Sequence, residues 1–210
     1  MNVLIIGATG GTGRQLVSQA LERGYRVTAF VRNPHKLTLR HERLSIAQGN
    51  VLDYRTVEAA VQGVDAVISA LGHKRWFLPS TILSEGTRNI LTAMERHGVR
   101  RLICETSLGI GDSRGRLGVY YTFFVIPFMT YFYFRDKERQ EEIISLSPLD
   151  YTIVRPGQLT NGRKRGTYRY GANLGSYFLT RTISRSDVAD FMLNQLSTDK
   201  HLRKAVVIVS

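Results

Sequence analysis

The chain has 210 residues, 43% hydrophobic and 22% charged, which fits one domain with a sizeable core and excludes a low-complexity or disordered chain. A single cysteine, Cys104, excludes an internal disulfide framework and suits a reducing compartment. Lysine and arginine number 29 against 17 aspartate and glutamate, a formal charge of +12 that attracts anionic ligands or surfaces and says little about fold.

The basic residues are scattered and cluster only at Arg100-Arg101 and Arg163-Lys164-Arg165. With no basic helix, zinc-finger spacing or RNA-binding signature, no specific nucleic-acid partner is expected. The opening MNVLIIGATGG lacks the basic leader of a secretory signal, and the expected location is cytoplasmic.

Val3–Ile6 is a short apolar run ending in glycine, the pattern of a buried parallel strand. Gln15–Arg23 places Leu16, Val17, Ala20 and Leu21 on one helical face, and Gly24 stops that helix. Strands are expected at Arg26–Val31, Leu44–Ala47 and Asp65–Ser69, with a short helix at Tyr54–Val61. A long helix is expected from Ser80 to His97, with Ile82, Leu83, Ile90, Leu91 and Met94 as its apolar stripe. Arg101–Glu105 reads as the fifth strand, Glu138–Leu146 as a helix and Tyr151–Val154 as the sixth strand. Ser184 reads as the N-cap of a helix over Arg185–Leu196, with Asp187 near its positive end, and Ala205–Val209 closes as the seventh strand.

Strands alternating with helices imply parallel crossovers. The expected fold is therefore α/β, a Rossmann-type doubly wound, mainly parallel sheet of about seven strands with helices on both faces. One domain covers 1–210, with residues 108–137 and 156–182 forming a substrate-side region.

Gly7, Ala8, Thr9, Gly10, Gly11, Thr12 and Gly13 lie between the first strand and the first helix. Gly7 permits a sharp turn, Gly10 a close approach of backbone to a pyrophosphate, and Gly13 tight helix–sheet packing. An acidic residue at the end of the second strand would accept from a ribose 2′-hydroxyl; Arg32 stands there instead and donates a planar fork to a 2′-phosphate. Lys36 and Arg14 add charge nearby, so the expected cofactor is NADP(H).

The spacing Gly-x-x-Gly-x-x-Gly is similar to that of the atypical short-chain dehydrogenase/reductases. Over nearly its whole length the chain resembles their flavin reductase/biliverdin-IXβ reductase type and the related NAD(P)-binding nitrogen-repression regulators. The matching stretches are GATGGTG at 7–13, VTAFVRNPHKL at 27–37, GNVLD at 49–53 and DAVISALG at 65–72. They continue with EGTRNILTAMERHGVRRLI at 85–103, ETS at 105–107, YTIVRPGQLT at 151–160 and ISRSDVADFML at 183–193.

The resemblance implies that Asn50 and Val51 lie beside the adenine, where the family usually has Asp-Val. It places Ala70, Leu71 and Gly72 along the middle of the cofactor, Pro156 and Gly157 near the nicotinamide, and Ser107 in the active site. Thr106 and Ser107 also follow a strand at the carboxyl edge, where open α/β sheets bind ligands. Tyr133 and Lys137 match the Tyr-x-x-x-Lys pair of many short-chain reductases; four residues apart on a helix, the two share a face. In the flavin-reductase type the position of Lys137 is often histidine and no tyrosine acid is required. The five histidines have no metal-ligand spacing, and no metal is expected.

Between Val119 and Phe134 the chain carries no charge, and nine of sixteen residues are tyrosine or phenylalanine. That is short of the ~20 residues of a spanning helix, and Pro127 interrupts it. It reads as a broken, partly mobile substrate-side wall delivering Lys137 to the cofactor; with the basic surface it also suits peripheral membrane contact.

The expected function is an NADPH-dependent reductase of a small planar, anionic acceptor such as a flavin, quinone or biliverdin-like tetrapyrrole, acting as a monomer or dimer. The alternative is an NADP(H)-binding regulatory or assembly protein with little turnover.

Overall fold

The computed structural model describes residues 1–73 and 76–210. Its strands are β1 (Asn2–Ile6), β2 (Arg26–Val31), β3 (Leu44–Gln48), β4 (Ala66–Ser69), β5 (Arg101–Glu105), β6 (Asp150–Pro156), β7 (Gln158–Thr160), β8 (Arg169–Gly171), β9 (Thr182–Ser184) and β10 (Lys204–Val209). The α-helices are α1 (Gly11–Glu22), α2 (Tyr54–Val61), α3 (Ile82–Arg96), α4 (Ile126–Met129), α5 (Tyr131–Ser145) and α6 (Arg185–Asn194).

The main sheet runs β3-β2-β1-β4-β5-β6-β10-β8. Seven of its strands are parallel, and β8 joins the edge of β10 antiparallel. The seven parallel strands are those expected from the sequence; β8 and the separate β7–β9 pair are additional.

Alternation along β1 divides the core. Val3 and Ile5 face α1 and α6, whereas Leu4 and Ile6 face α2, α3 and α5. Both faces of the strand are covered, which is why its sequence is apolar without interruption. A third, smaller cluster of Leu108, Leu117, Val207 and Val209 lies under the aromatic segment.

Two helices begin earlier than their apolar pattern indicates. Helix α1 opens at Gly11, so the last glycines of the loop form its first turn. Helix α5 opens at Tyr131 rather than Glu138 and therefore carries both Tyr133 and Lys137. The break in the aromatic segment falls at Thr130, which leaves helical geometry at φ −128°, ψ 18°. Pro127 instead sits in the first turn of α4, where its missing N–H costs little, after a π-helical turn over Tyr121–Val125. The predicted N-cap is present: the Ser184 hydroxyl accepts from the Asp187 amide at 2.9 Å.

Candidate active site

The strand order reverses direction between β1 and β4, and the crevice at their carboxyl ends is where a doubly wound sheet takes a ligand. Gly7 turns the chain there with φ +80°, and a Cβ at that position would stand 2.4 Å from the Ala70 carbonyl oxygen. A Cβ on Gly13 would stand 2.1 Å from the Gly7 carbonyl oxygen, so the first turn of α1 packs directly on the loop.

Gly10 differs, since its Cβ would touch only the Gly7 oxygen at 3.2 Å and otherwise faces outward. As the N-cap of α1 it has no side chain to satisfy the first helical amides. An open backbone edge, unsatisfied N–H groups and the positive end of a helix dipole fit a pyrophosphate.

At the adenosine end, Arg32 follows β2 and is exposed, with no hydrogen bond or ion pair to its guanidinium among the described residues. Lys36 is exposed on the adjoining 3₁₀ turn, whose start Asn33 caps by accepting from the His35 amide. Arg14 holds this corner together by donating to the Thr9 and Lys36 carbonyls. Asn50 is exposed; its side-chain oxygen accepts from the Leu52 amide at 3.2 Å, which leaves its NH₂ turned to other partners. Val51 is buried, and its carbonyl accepts from Asn89 of α3.

The reactive end gathers residues from four elements. Ala70, Leu71 and Gly72 leave β4, and the space beside Gly72 is met by the Tyr133 hydroxyl, 3.5 Å from where a Cβ would lie. One helical turn on, the Lys137 ammonium sits 5.2 Å from the centre of the Tyr133 ring. Lys137 is only 4% exposed and donates to the Thr106 carbonyl at 2.9 Å. The Tyr-x-x-x-Lys pair is thus brought together on one helix face beside the carboxyl ends of β4 and β5.

Thr106 faces inward: its hydroxyl donates to Glu141 at 2.5 Å, so that proton is not offered to the crevice. Ser107 is half-buried and donates to the Leu108 carbonyl at 3.0 Å, keeping its lone pairs for a further donor. Pro156 ends β6 and accepts from the Leu108 amide, which fixes the Ser107 loop against that strand. Gly157 packs on the Arg181 carbonyl, 2.5 Å from its would-be Cβ.

Behind these residues lies a buried polar network that sequence reasoning missed. Arg155 of β6 makes a forked pair with Glu141 of α5, at 2.6 Å for its shortest bond, and also reaches Asp112. Asp136, one residue before Lys137, accepts from the Leu83 and Ser84 amides and so caps α3 from another helix.

Glu105 lies under the glycine loop and accepts from the Thr12 hydroxyl at 3.1 Å. Burial raises its carboxyl above the usual glutamate range, against the opposing pull of Lys137. Burial likewise pushes the Cys104 thiol up to about 12, the behaviour of a structural cysteine rather than a nucleophile.

Arg185 was also missed. Its side chain crosses Gly11, where a Cβ would stand 2.5 Å from Arg185 Cδ, and its guanidinium donates to Asn161 at 2.7 Å. The only sequence signal was the glycine itself, whose missing side chain leaves room for the arginine.

A family model described as NAD(P)H-binding matches residues 7–199. A chloroplastic protein of Arabidopsis thaliana is 32% identical over 99% of this chain and 76% of its own length. The photosystem II assembly factor Ycf39 of Synechocystis is 26% identical over the whole chain, which spans 62% of that relative. Among solved structures, ChuY, an anaerobillin reductase from Escherichia coli O157:H7, superposes with a TM-score of 0.82 at 25% identity, covering 100% of this chain and 97% of its own. With the glycine loop, the strand order and the match over nearly all its length, the chain belongs to the NAD(P)H-binding family of Rossmann-type proteins.

Proposed function

We propose that the chain is an NADPH-dependent reductase that passes hydride to a planar, conjugated acceptor: a flavin, a quinone or a biliverdin-like tetrapyrrole. The observation that carries this reading is the aromatic ring at the reactive end, where Tyr133 meets Lys137 beside Gly72. Its likeness to an anaerobillin reductase supports the same class of acceptor.

When bound, NADPH supplies the hydride. The residues that would hold it are Gly7, Ala8, Thr9, Gly10, Gly11, Thr12 and Gly13 at the pyrophosphate. Asn50 and Val51 would serve the adenine, and Ala70, Leu71 and Gly72 its middle. Thr106, Ser107, Lys137, Pro156 and Gly157 would stand at the nicotinamide end. Arg32, exposed and unpaired among the described residues, favours a 2′-phosphate, with Lys36 adding charge. Arg185 would close over the pyrophosphate.

Ser107, whose proton is held by the Leu108 carbonyl, would accept from the nicotinamide amide with its lone pairs. Tyr133 would stack on the acceptor edge, and Lys137, held by Thr106, would keep positive charge beneath the tyrosine as negative charge develops on the acceptor. Residues 108–137 and 156–182 form the substrate side of a single domain in this reading, and a cytoplasmic setting would supply NADPH.

Oxidation of NADPH measured with FMN, dichlorophenol-indophenol and biliverdin tests the proposal: turnover with at least one acceptor is expected. The second reading, an NADP(H)-binding assembly or regulatory protein, is favoured by the commitment of Lys137 to the Thr106 carbonyl and by the likeness to Ycf39. Tight NADPH binding without turnover on any of the three would replace the first reading with the second.

A further inference from the structure

We propose that the face formed by the segment 120–132 and the loop 177–179 seats this protein on the surface of an anionic lipid bilayer. The π-helical turn and α4 are apolar on both faces. Inward, Tyr121 and Ile126 join Phe134 in packing on Leu108, Leu117, Val207 and Val209. Outward stand Tyr120, Phe123, Phe124 and Phe128, the last 77% exposed, where a surface helix normally carries polar side chains.

A second apolar tract is fastened beside the first. The Ser176 amide donates to the Arg116 carbonyl at 2.8 Å, and the Thr180 hydroxyl donates to the Leu117 carbonyl at 3.0 Å. These bonds hold Tyr177, Phe178 and Leu179 next to the start of the aromatic segment, with Phe178 82% exposed. Scattered single hydrophobes need no explanation, but a joined surface of this kind marks an interaction site.

Charge identifies the occupant. Residues 113–135 contain three arginines and no acidic residue, and residues 161–186 six basic residues and no acidic one. Of these, Arg114 pairs with Glu138, Lys164 pairs with Asp190 and Arg185 lies over Gly11, so the charge next to the aromatic face rests on Arg169 and Arg181. Arg169 pairs in register with Val209, and the Arg181 backbone abuts Gly157 beside Val209, so both lie over the cluster that carries the aromatic face. Both are exposed, and neither has a carboxylate partner among the described residues.

Aromatic side chains with a cationic surround match the interface of a bilayer rich in acidic headgroups. A second copy is the poorer fit, because a two-fold contact would press this net-cationic surface against itself. No helix among the described residues is long and apolar enough to cross a membrane, so the contact is one of lying on the surface.

The test is co-sedimentation of the full chain with vesicles of phosphatidylcholine and phosphatidylglycerol in equal parts, against vesicles of phosphatidylcholine alone. The protein should pellet with the acidic vesicles and remain in the supernatant with the neutral ones. A Phe123→Ser/Phe124→Ser/Phe128→Ser variant and an Arg169→Gln/Arg181→Gln variant should each bind at least roughly tenfold more weakly. Each should melt at the wild-type temperature; the arginine variant, which removes no apolar contact, serves if the serine variant does not fold.

The proposal is overturned if the wild type stays in the supernatant with acidic vesicles, or if neither variant weakens binding. It is equally overturned if sedimentation velocity shows a dimer that the serine variant dissociates while no vesicle is bound.

Discussion

On the β1–β3 side, the crevice is bounded by backbone. Gly7 and Gly13 leave no space for a Cβ, the helix end offers bare amides, and Arg32 is exposed with no ion pair among the described residues. On the β5–β6 side it is bounded by side chains tied together by polar contacts in the interior: Lys137 donates to the Thr106 carbonyl, the Thr106 hydroxyl to Glu141, and Glu141 pairs with Arg155. A backbone cradle depends on the absence of atoms and tolerates almost no addition. An ionic network depends on their presence and tolerates almost no deletion.

The sharpest way to break this contrast is to delete from the network. Glu141→Ala leaves Arg155, whose side chain is 7% exposed, with Asp112 as its remaining acid. A loss of about 3–5 kcal/mol is expected in urea unfolding. Replacing the pair together, as Glu141→Leu with Arg155→Met, should cost less than the single change, and a greater cost would refute the ionic account.

Next in size is an addition to the cradle. Gly13→Ala sets a methyl 2.1 Å from the Gly7 oxygen, and backbone must move to accept it. A loss of about 2–3 kcal/mol is expected, together with loss of NADPH binding in fluorescence titration.

Arg32→Ala sharpens the same side without disturbing packing. A weakening of NADPH binding by about tenfold or more, with NADH binding unchanged, is expected from losing a charge-assisted hydrogen bond. Equal titrations for variant and wild type would remove the 2′-phosphate assignment.

The smallest effect lies at the join of the two sides, where Glu105 meets Thr12. Its carboxyl is raised by burial. A raised acid contributes stability that is complete below the ordinary glutamate range and is lost as pH rises through the raised value. The melting temperature of the wild type should therefore fall relative to Glu105→Gln as pH increases across that window. A constant difference would show that burial does not govern this group.

These two sides also differed in how far the sequence disclosed them. Each parallel strand is a run such as Val3–Ile6, covered on both faces, and such runs stand out in any apolar profile. The glycine loop is visible for a similar reason, because a backbone requirement leaves its mark as a residue type. The small strands β7, β8 and β9 have three residues each, too few for a period to appear.

The sequence pattern starts helix α5 at Glu138, seven residues after its actual start at Tyr131, because its first turns are aromatic on more than one face. The roles of Thr106, Asp136, Glu141 and Arg155 rest on which partner lies across the fold, and no local pattern encodes that. Spacing, which is local, places Tyr133 and Lys137 together; the Thr106 anchor has no such signal, since it comes from the loop after β5.

Arg185 crossing Gly11 has a consequence for how this protein is made. The glycine loop is synthesised well before the arginine that overlies it, since Gly11 precedes Arg185 in the chain. While the chain is still emerging from the ribosome, the loop has its turn but not its cover. A nascent chain stalled before α6 should therefore hold dinucleotide more weakly than the released protein. Full-strength binding then reports that α6 has found its place.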